Sequence, residues 1–564
     1  MKRVSVISAF VLLSAFHDVT SQGAEPLNSS ERQLSAFIDE HVAQLAPLDK
    51  EASLAYWAAS LSGKPEDFER VSELELKIRR IYSDRENFAK LKAWKESDAI
   101  DDPLLKRQLT DLYLGFLSNQ IDPDLMKEMV ELGNSIAQRF NTHRAMMDGT
   151  TVTLNDITDI LTSETDSKRR ERAWRASKQV GAVVGPDLIR LVKMRNEAAR
   201  SLGFENYHTM SLTTSEQSRE DLDRIFAELD RLGRDPFTRA KAELDAALAK
   251  MYDVDAPDLM PWHYHDPFFQ RAPLVYELDL DAYYEKSDVE AVSRRFYNSI
   301  GLPVEDILAR SDLYEKPGKN PHGFCTDIDR EGDVRILCNL RNDEHWMETQ
   351  LHELGHAVYA KYHDRSLPFL LRTPAHAFAT EAVAMFFGRL SRNADWMQEA
   401  LDLSEADRDK IAAVSDKYIQ LQQLVFSRWA MVMYEFEKQL YADPEQDLDA
   451  LWWELIEKSQ QLQKPAEIDE FGWASKLHFT QAACYYHNYM LGELLASQFH
   501  QHIVGDVLER ESDDGLGYFG EKAVGNYFRE EVFAPAGRYH WNGMIERATG
   551  EKLTAKHFVG QFAK

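Results

Sequence analysis

Apolar residues recur at three- and four-residue intervals over 30–47, 66–80, 102–119, 167–202, 219–249, 404–440 and 479–500. That period puts them on one stripe of a helix, so each segment is predicted to be α-helical with one buried face. Thr373-Pro374 supplies an N-cap and a first-turn proline for a further helix from Ala375 to Leu390, with Phe378, Met385, Phe386 and Leu390 apolar. The pattern changes once: Val334, Ile336 and Cys338 alternate after Glu331-Gly332-Asp333, which predicts a hairpin with its turn at the glycine. The expected class is mainly α with one small β-hairpin.

Length permits several domains, but no Gly/Ser/Pro-rich linker or charge block divides the 564 residues, so 25–564 is read as a single catalytic domain. Met1 to Ala24 has the form of a secretory signal: Lys2 and Arg3, the apolar run Val4 to Phe16, and small residues at Gln22-Gly23-Ala24. The run is shorter than the roughly 20 residues that span a bilayer. An exported protein, periplasmic or secreted, is expected. A net charge of −28 with no concentrated basic patch excludes nucleic acid and anionic membrane as main partners. The chain is expected to be a monomer.

The candidate chemistry lies in Leu351-His352-Glu353-Leu354-Gly355-His356. Two histidines four apart project from one helical face and reach one metal, leaving Glu353 beside the open coordination position as a general base. Gly355 lies between them at a cost of about 1 kcal/mol relative to alanine, which implies a close approach to the backbone there. Glu381, 25 residues after His356, is the acidic residue of its helix and the candidate third ligand. One Zn2+ per chain is expected.

Further matches extend beyond this motif. Ala173-Trp174-Arg175 precedes Arg195-Asn196-Glu197-Ala198-Ala199-Arg200, Tyr314-Glu315-Lys316-Pro317 precedes His322, Arg335 and Cys338, and Lys476-Leu477-His478 precedes tyrosines 485, 486 and 489. In this order they resemble the gluzincin peptidases, specifically the angiotensin-converting-enzyme-like peptidyl-dipeptidases, with features of thimet oligopeptidase and oligoendopeptidase F. The resemblance implies a large two-lobed helical shell around a deep cleft, with the hairpin beside the zinc helix and residues 28–120 as a lid. It also implies hydrolysis of short peptides with release of C-terminal dipeptides. An oligoendopeptidase is the nearest alternative, and a catalytically idle peptide-binding protein a remote one.

Carried over residue by residue, the resemblance gives His478 and a tyrosine as oxyanion donors. The spacing of seven and ten residues after the histidine lands on Tyr485 and Asn488; a shift of one gives Tyr486 and Tyr489, and Tyr489 is the expected donor. Lys476 matches the lysine that receives the substrate's C-terminal carboxylate, assisted by Tyr485 or Tyr486, and His322 begins an edge strand for substrate pairing. Three departures accompany these matches. The family's carboxylate-binding glutamine is missing from Trp262-His263-Tyr264-His265; Met385 replaces an aspartate that supports a zinc histidine; and His487 or Asn488 replaces a chloride-binding arginine. Cys325 and Cys338 could close a disulfide near the family's bridge, although Cys325 follows His322 whereas the family's cysteine precedes its histidine. Cys484 is expected to be a core residue.

Overall fold

The computed structural model describes residues 27–273, 275 and 279–563, so the expected signal at 1–24 lies outside the described residues. The described chain is mainly α, with two antiparallel two-stranded sheets. Predicted helices occur at Ser29–Ser62, Pro65–Tyr82, Pro103–Ser118, Ser167–Ser201, Arg219–Tyr252 and Glu405–Ala442. None of the described helices is long and apolar enough to cross a membrane.

Two boundaries differ from expectation. The 479–500 segment is not one helix: a turn at His478–Gln481 is followed by Cys484 at φ 57°, and the helix proper is His487–His502. The break is held by the Cys484 N–H, which donates to the buried Glu437 carboxylate at 2.7 Å. Apolar periodicity concealed it because Phe479, Cys484 and Tyr486 bury on both sides of the break. The helix expected from Ala375 starts at Ala377, and its N-cap is His376, whose ring accepts the Phe378 N–H.

Two large apolar cores divide the molecule. One gathers Phe296, Leu351, Val358, Phe387, Leu491 and Phe528; the other gathers Trp174, Leu188, Phe237, Trp429, Phe436 and Trp452. The long helices Arg219–Tyr252 and Glu405–Ala442 serve both: Ile225 and Ile411 pack in the first core, Leu248 and Phe436 in the second. These are the two lobes. Each fully buried side chain of this size contributes about 1.5–3 kcal/mol, so the shared helices couple the lobes strongly. A smaller N-terminal core of Leu34, Leu91, Leu109 and Phe116 closes on Leu370.

The hairpin pairs Phe324–Asp327 with Val334–Leu337, placing Cys325 opposite Ile336. That register corrects the disulfide expectation. Cys338 is diagonal to Cys325, a relation that holds side chains about 7–8 Å apart, and both thiols are free. Backbone bonds from Asp312 to Ile336 and from Cys338 to Asp312 occupy the outer edge of the second strand. Among the described residues the first strand keeps an open edge.

Candidate active site

Helix Glu344–Lys361 carries the histidine pair, capped by Asp343, which accepts the Trp346 N–H at 2.8 Å. It packs across helix Ala377–Gly388, and Gly355 explains how closely. A Cβ on Gly355 would lie 2.8 Å from the Ala384 Cα, so only glycine lets these backbones meet. On its far side the second helix meets His487–His502, where a Cβ on Gly492 would lie 3.1 Å from the Met385 sulfur and 3.5 Å from the Glu381 Cβ. Two glycine contacts thus fix Glu381 between its neighbours.

The result is a triangle of ligand atoms. His352 Nε2 and His356 Nε2 are 3.2 Å apart, and Glu381 Oε2 lies 3.6 Å from the first and 3.8 Å from the second. A tetrahedral zinc with bonds of about 2.0–2.1 Å separates its ligands by about 3.4 Å, so the three fit such an ion. They are the metal-capable cluster among the described residues. Burial pushes His352 down to about 4; burial and then His352 push His356 down to about 3. Both rings are therefore neutral, as metal ligation requires. Met385 does not support a ring. Instead Thr380, adjacent to Glu381, places its hydroxyl 2.7 Å from His356 Nδ1.

Glu353 is buried between this triangle and the hairpin. Burial first, then the charges of Glu381 and Glu348, push its carboxyl up to about 8, while the Cys325 N–H on the open strand edge pulls it down. A cation held at Glu381 opposes the second of these causes. His322 lies two residues before that strand with its ring exposed, and Gly323 beside it lies against Glu353.

The opposite wall comes from the second core. His478 meets Tyr486 at 5.0 Å and Tyr489 at 6.4 Å between ring centroids, and Tyr489 meets Tyr485 at 5.5 Å. Tyr485 and Tyr489 both feel the Glu381 charge, which raises them further after burial has done so. Tyr486 turns the other way: its hydroxyl accepts from Trp429 Nε1 at 2.8 Å, and its ring lies 5.3 Å from Lys476 Nζ. Lys476 is only 8 % exposed, against the rings of Phe268 and Trp429. Burial pushes its ammonium down to about 8. Tyr485 lines a separate cavity of about 470 Å³ with Tyr82 and Arg107 of the N-terminal helices and with His376. Arg107 ties those helices to the body through a bidentate pair with Glu216 at 2.5 and 2.7 Å.

A family model described as angiotensin-converting enzyme matches residues 28–254 and 273–563, nearly the whole chain. The chain belongs to the angiotensin-converting enzyme family, whose members are zinc peptidases. No curated protein matches it.

Trp262, His263 and Tyr264 are buried, with His263 against Ser167 at 2.7 Å. A glutamine nevertheless reaches the lysine: Lys476 Nζ donates to Gln270 Oε1 at 2.6 Å. Asp266 aims Gln270 by accepting its side-chain amide at 3.2 Å and the N–H groups of Phe268 and Gln270. Gln270 stands in the stretch 255–272 that the family model leaves unmatched. The sequence signal for it was the Asp266-Pro267 turn, which returns the chain four residues later. Gln217 was also missed. It donates to Asn488 at 2.7 Å and meets His487 Nε2 at 2.9 Å, a neutral network where the family holds an arginine.

Proposed function

We propose that this protein is an exported zinc peptidase that cleaves short oligopeptides and releases C-terminal dipeptides. The observation that carries the hydrolytic reading is the convergence of His352, His356 and Glu381 with Glu353 beside them. Zinc held by these three ligands would supply a Lewis acid for the peptide carbonyl and lower the pKa of water to about 7. Glu353 takes the proton of the attacking water and returns it to the departing amine. Tyr489 and His478, from the facing lobe, donate hydrogen bonds to the oxyanion that develops on the carbonyl. The open edge at Phe324–Asp327 pairs with the extended substrate backbone.

The dipeptide register rests on Lys476. One of its three donors is used by Gln270, and the others are free to meet a carboxylate with Tyr486 beside it. A buried ammonium favours a substrate that brings its own negative charge. The cavity that continues past Lys476 favours a second reading, an oligoendopeptidase. A C-terminally amidated peptide separates them, since an exopeptidase loses most of its rate on it and an endopeptidase does not.

Glu353→Gln tests the chemistry. The variant is expected to keep one zinc per chain and lose at least about 10²-fold in kcat, the usual range for a general base. Full activity in that variant would overturn the proposal.

A further inference from the structure

Arg195 and Asn196 lie on helix Ser167–Ser201, which packs in the second core, whereas the histidine helix packs in the first. Arg195 is nevertheless tied to the wall that carries His478 and the tyrosines. Its Nη1 donates to the Phe479 carbonyl and the Tyr441 hydroxyl, each at 3.0 Å, and its Nη2 donates to the Thr480 carbonyl at 2.7 Å. Asn196 secures the same junction: its amide donates to the Tyr441 carbonyl at 2.8 Å and accepts the Tyr207 N–H at 2.9 Å.

The position of these bonds has a specific meaning. In an unbroken helix the Cys484 N–H would donate to the Thr480 carbonyl four residues earlier. Here the chain turns left-handed at Cys484, φ 57°, and that bond is broken. The N–H goes instead to the buried Glu437 carboxylate at 2.7 Å, and the carbonyl goes to Arg195. Both halves of the lost bond are thus satisfied by side chains of opposite charge, as buried backbone groups require. Arginine suits its half because one planar fork reaches two adjacent carbonyls at the end of the His478–Gln481 turn. A left-handed residue bearing a Cβ persists only where its surroundings impose it. Among the described residues Arg195 bonds neither His478 nor Tyr489; its grip ends on the backbone between them.

We infer that Arg195 and Glu437 are positioning residues that clamp 479–484, so that His478 before the clamp and Tyr489 beyond it meet the oxyanion in fixed register. The inference rests on the hydrolytic reading above and supplies the cause of the wall's geometry. A displacement of about 1 Å in such donors costs about 10²-fold in rate. The three metal ligands stand on helices packed in the first core, so loosening the clamp acts on the transition state and spares the metal.

The test uses the zinc-loaded full chain and a short fluorogenic peptide. Arg195→Met removes every donated bond while keeping the side chain's bulk. It is expected to lower kcat by about 10²-fold, with KM and zinc affinity, the latter by chelator competition, within about threefold of the parent. Glu437→Met should show the same pattern, and Glu437→Gln, which keeps an acceptor for the Cys484 N–H, should recover most of the loss. A double-mutant cycle with Tyr489→Phe separates positioning from general stability. In that background Arg195→Met is expected to cost about 10-fold or less, because a group it positions has already lost its donor. Should Arg195→Met not fold, Arg195→Lys keeps the charge without the fork and carries the same cycle, with a loss of about 10-fold expected. Parent-like kcat in the folded variant, fully additive losses in the cycle, or zinc affinity falling as far as kcat overturns the inference alone. A parent enzyme that holds zinc and cleaves no peptide overturns the hydrolytic reading and the inference with it.

Discussion

His356 Nδ1 and Thr380 Oγ1 are 2.7 Å apart, and Thr380 directly precedes Glu381. One turn of helix thus supplies both a candidate metal ligand and the group that orients another. With Nε2 given to a metal, Nδ1 carries the proton and donates to the hydroxyl. Thr380→Val removes the acceptor while keeping shape, and is expected to weaken zinc binding about 10-fold or more. Thr380→Ser should restore it. Competition against a chromophoric chelator measures both, independently of turnover.

Gly355 is the point where the two ligand-bearing helices touch. Gly355→Ala places a methyl 2.8 Å from the Ala384 Cα, and a backbone atom cannot swing aside. Overpacking of this kind costs about 1–3 kcal/mol, visible as a lower urea midpoint. Because the separated helices carry His352, His356 and Glu381, zinc affinity should fall with it. A variant as stable and as tightly zinc-binding as the parent would refute this account.

The Gln217–Asn488–His487 network bears on anion dependence. Burial pushes His487 down to about 3, so its ring is neutral and the network offers no net positive charge to a halide. Activity is expected to change by less than about twofold when acetate replaces chloride at constant ionic strength, since no focused positive field attracts the ion. A steep rise on adding chloride would contradict this.

Glu437 gives the fold a pH signature. Full burial pushes its carboxyl up from 4.5 to about 7, offset in part by the Cys484 N–H and then by Arg195. A carboxyl raised in the folded state binds more protons there than in the unfolded chain between those two values. Its effect on stability is therefore favourable below about 4.5 and is lost as pH rises towards 7. The loss is on the order of a few kcal/mol. Denaturant titrations across this window should show a shallower fall for Glu437→Gln than for the parent; identical slopes would place the proton elsewhere.

Much of the site was legible because its signals are local. The four-residue spacing of His352 and His356 and the glycine between them depend only on helix geometry. Chain order from Lys476 through Tyr489 carried the family resemblance, and the long amphipathic helices were visible in their periodicity. The sequence by itself determined the helical class, the ligand types and the absence of the expected glutamine, aspartate and arginine.

Tertiary structure decided what took their places. Thr380 supports His356 only because Gly355 and Gly492 draw three helices together, and Gln270 reaches Lys476 only because Asp266 folds a loop back within the second core. Cys325 and Cys338 stay apart because hairpin register sets them on a diagonal. The left-handed turn at Cys484, held by Glu437, selects which tyrosine faces Glu381 and which faces Lys476. Each of these depends on contacts between segments distant along the chain, and periodicity and spacing report only on neighbours within a turn or two.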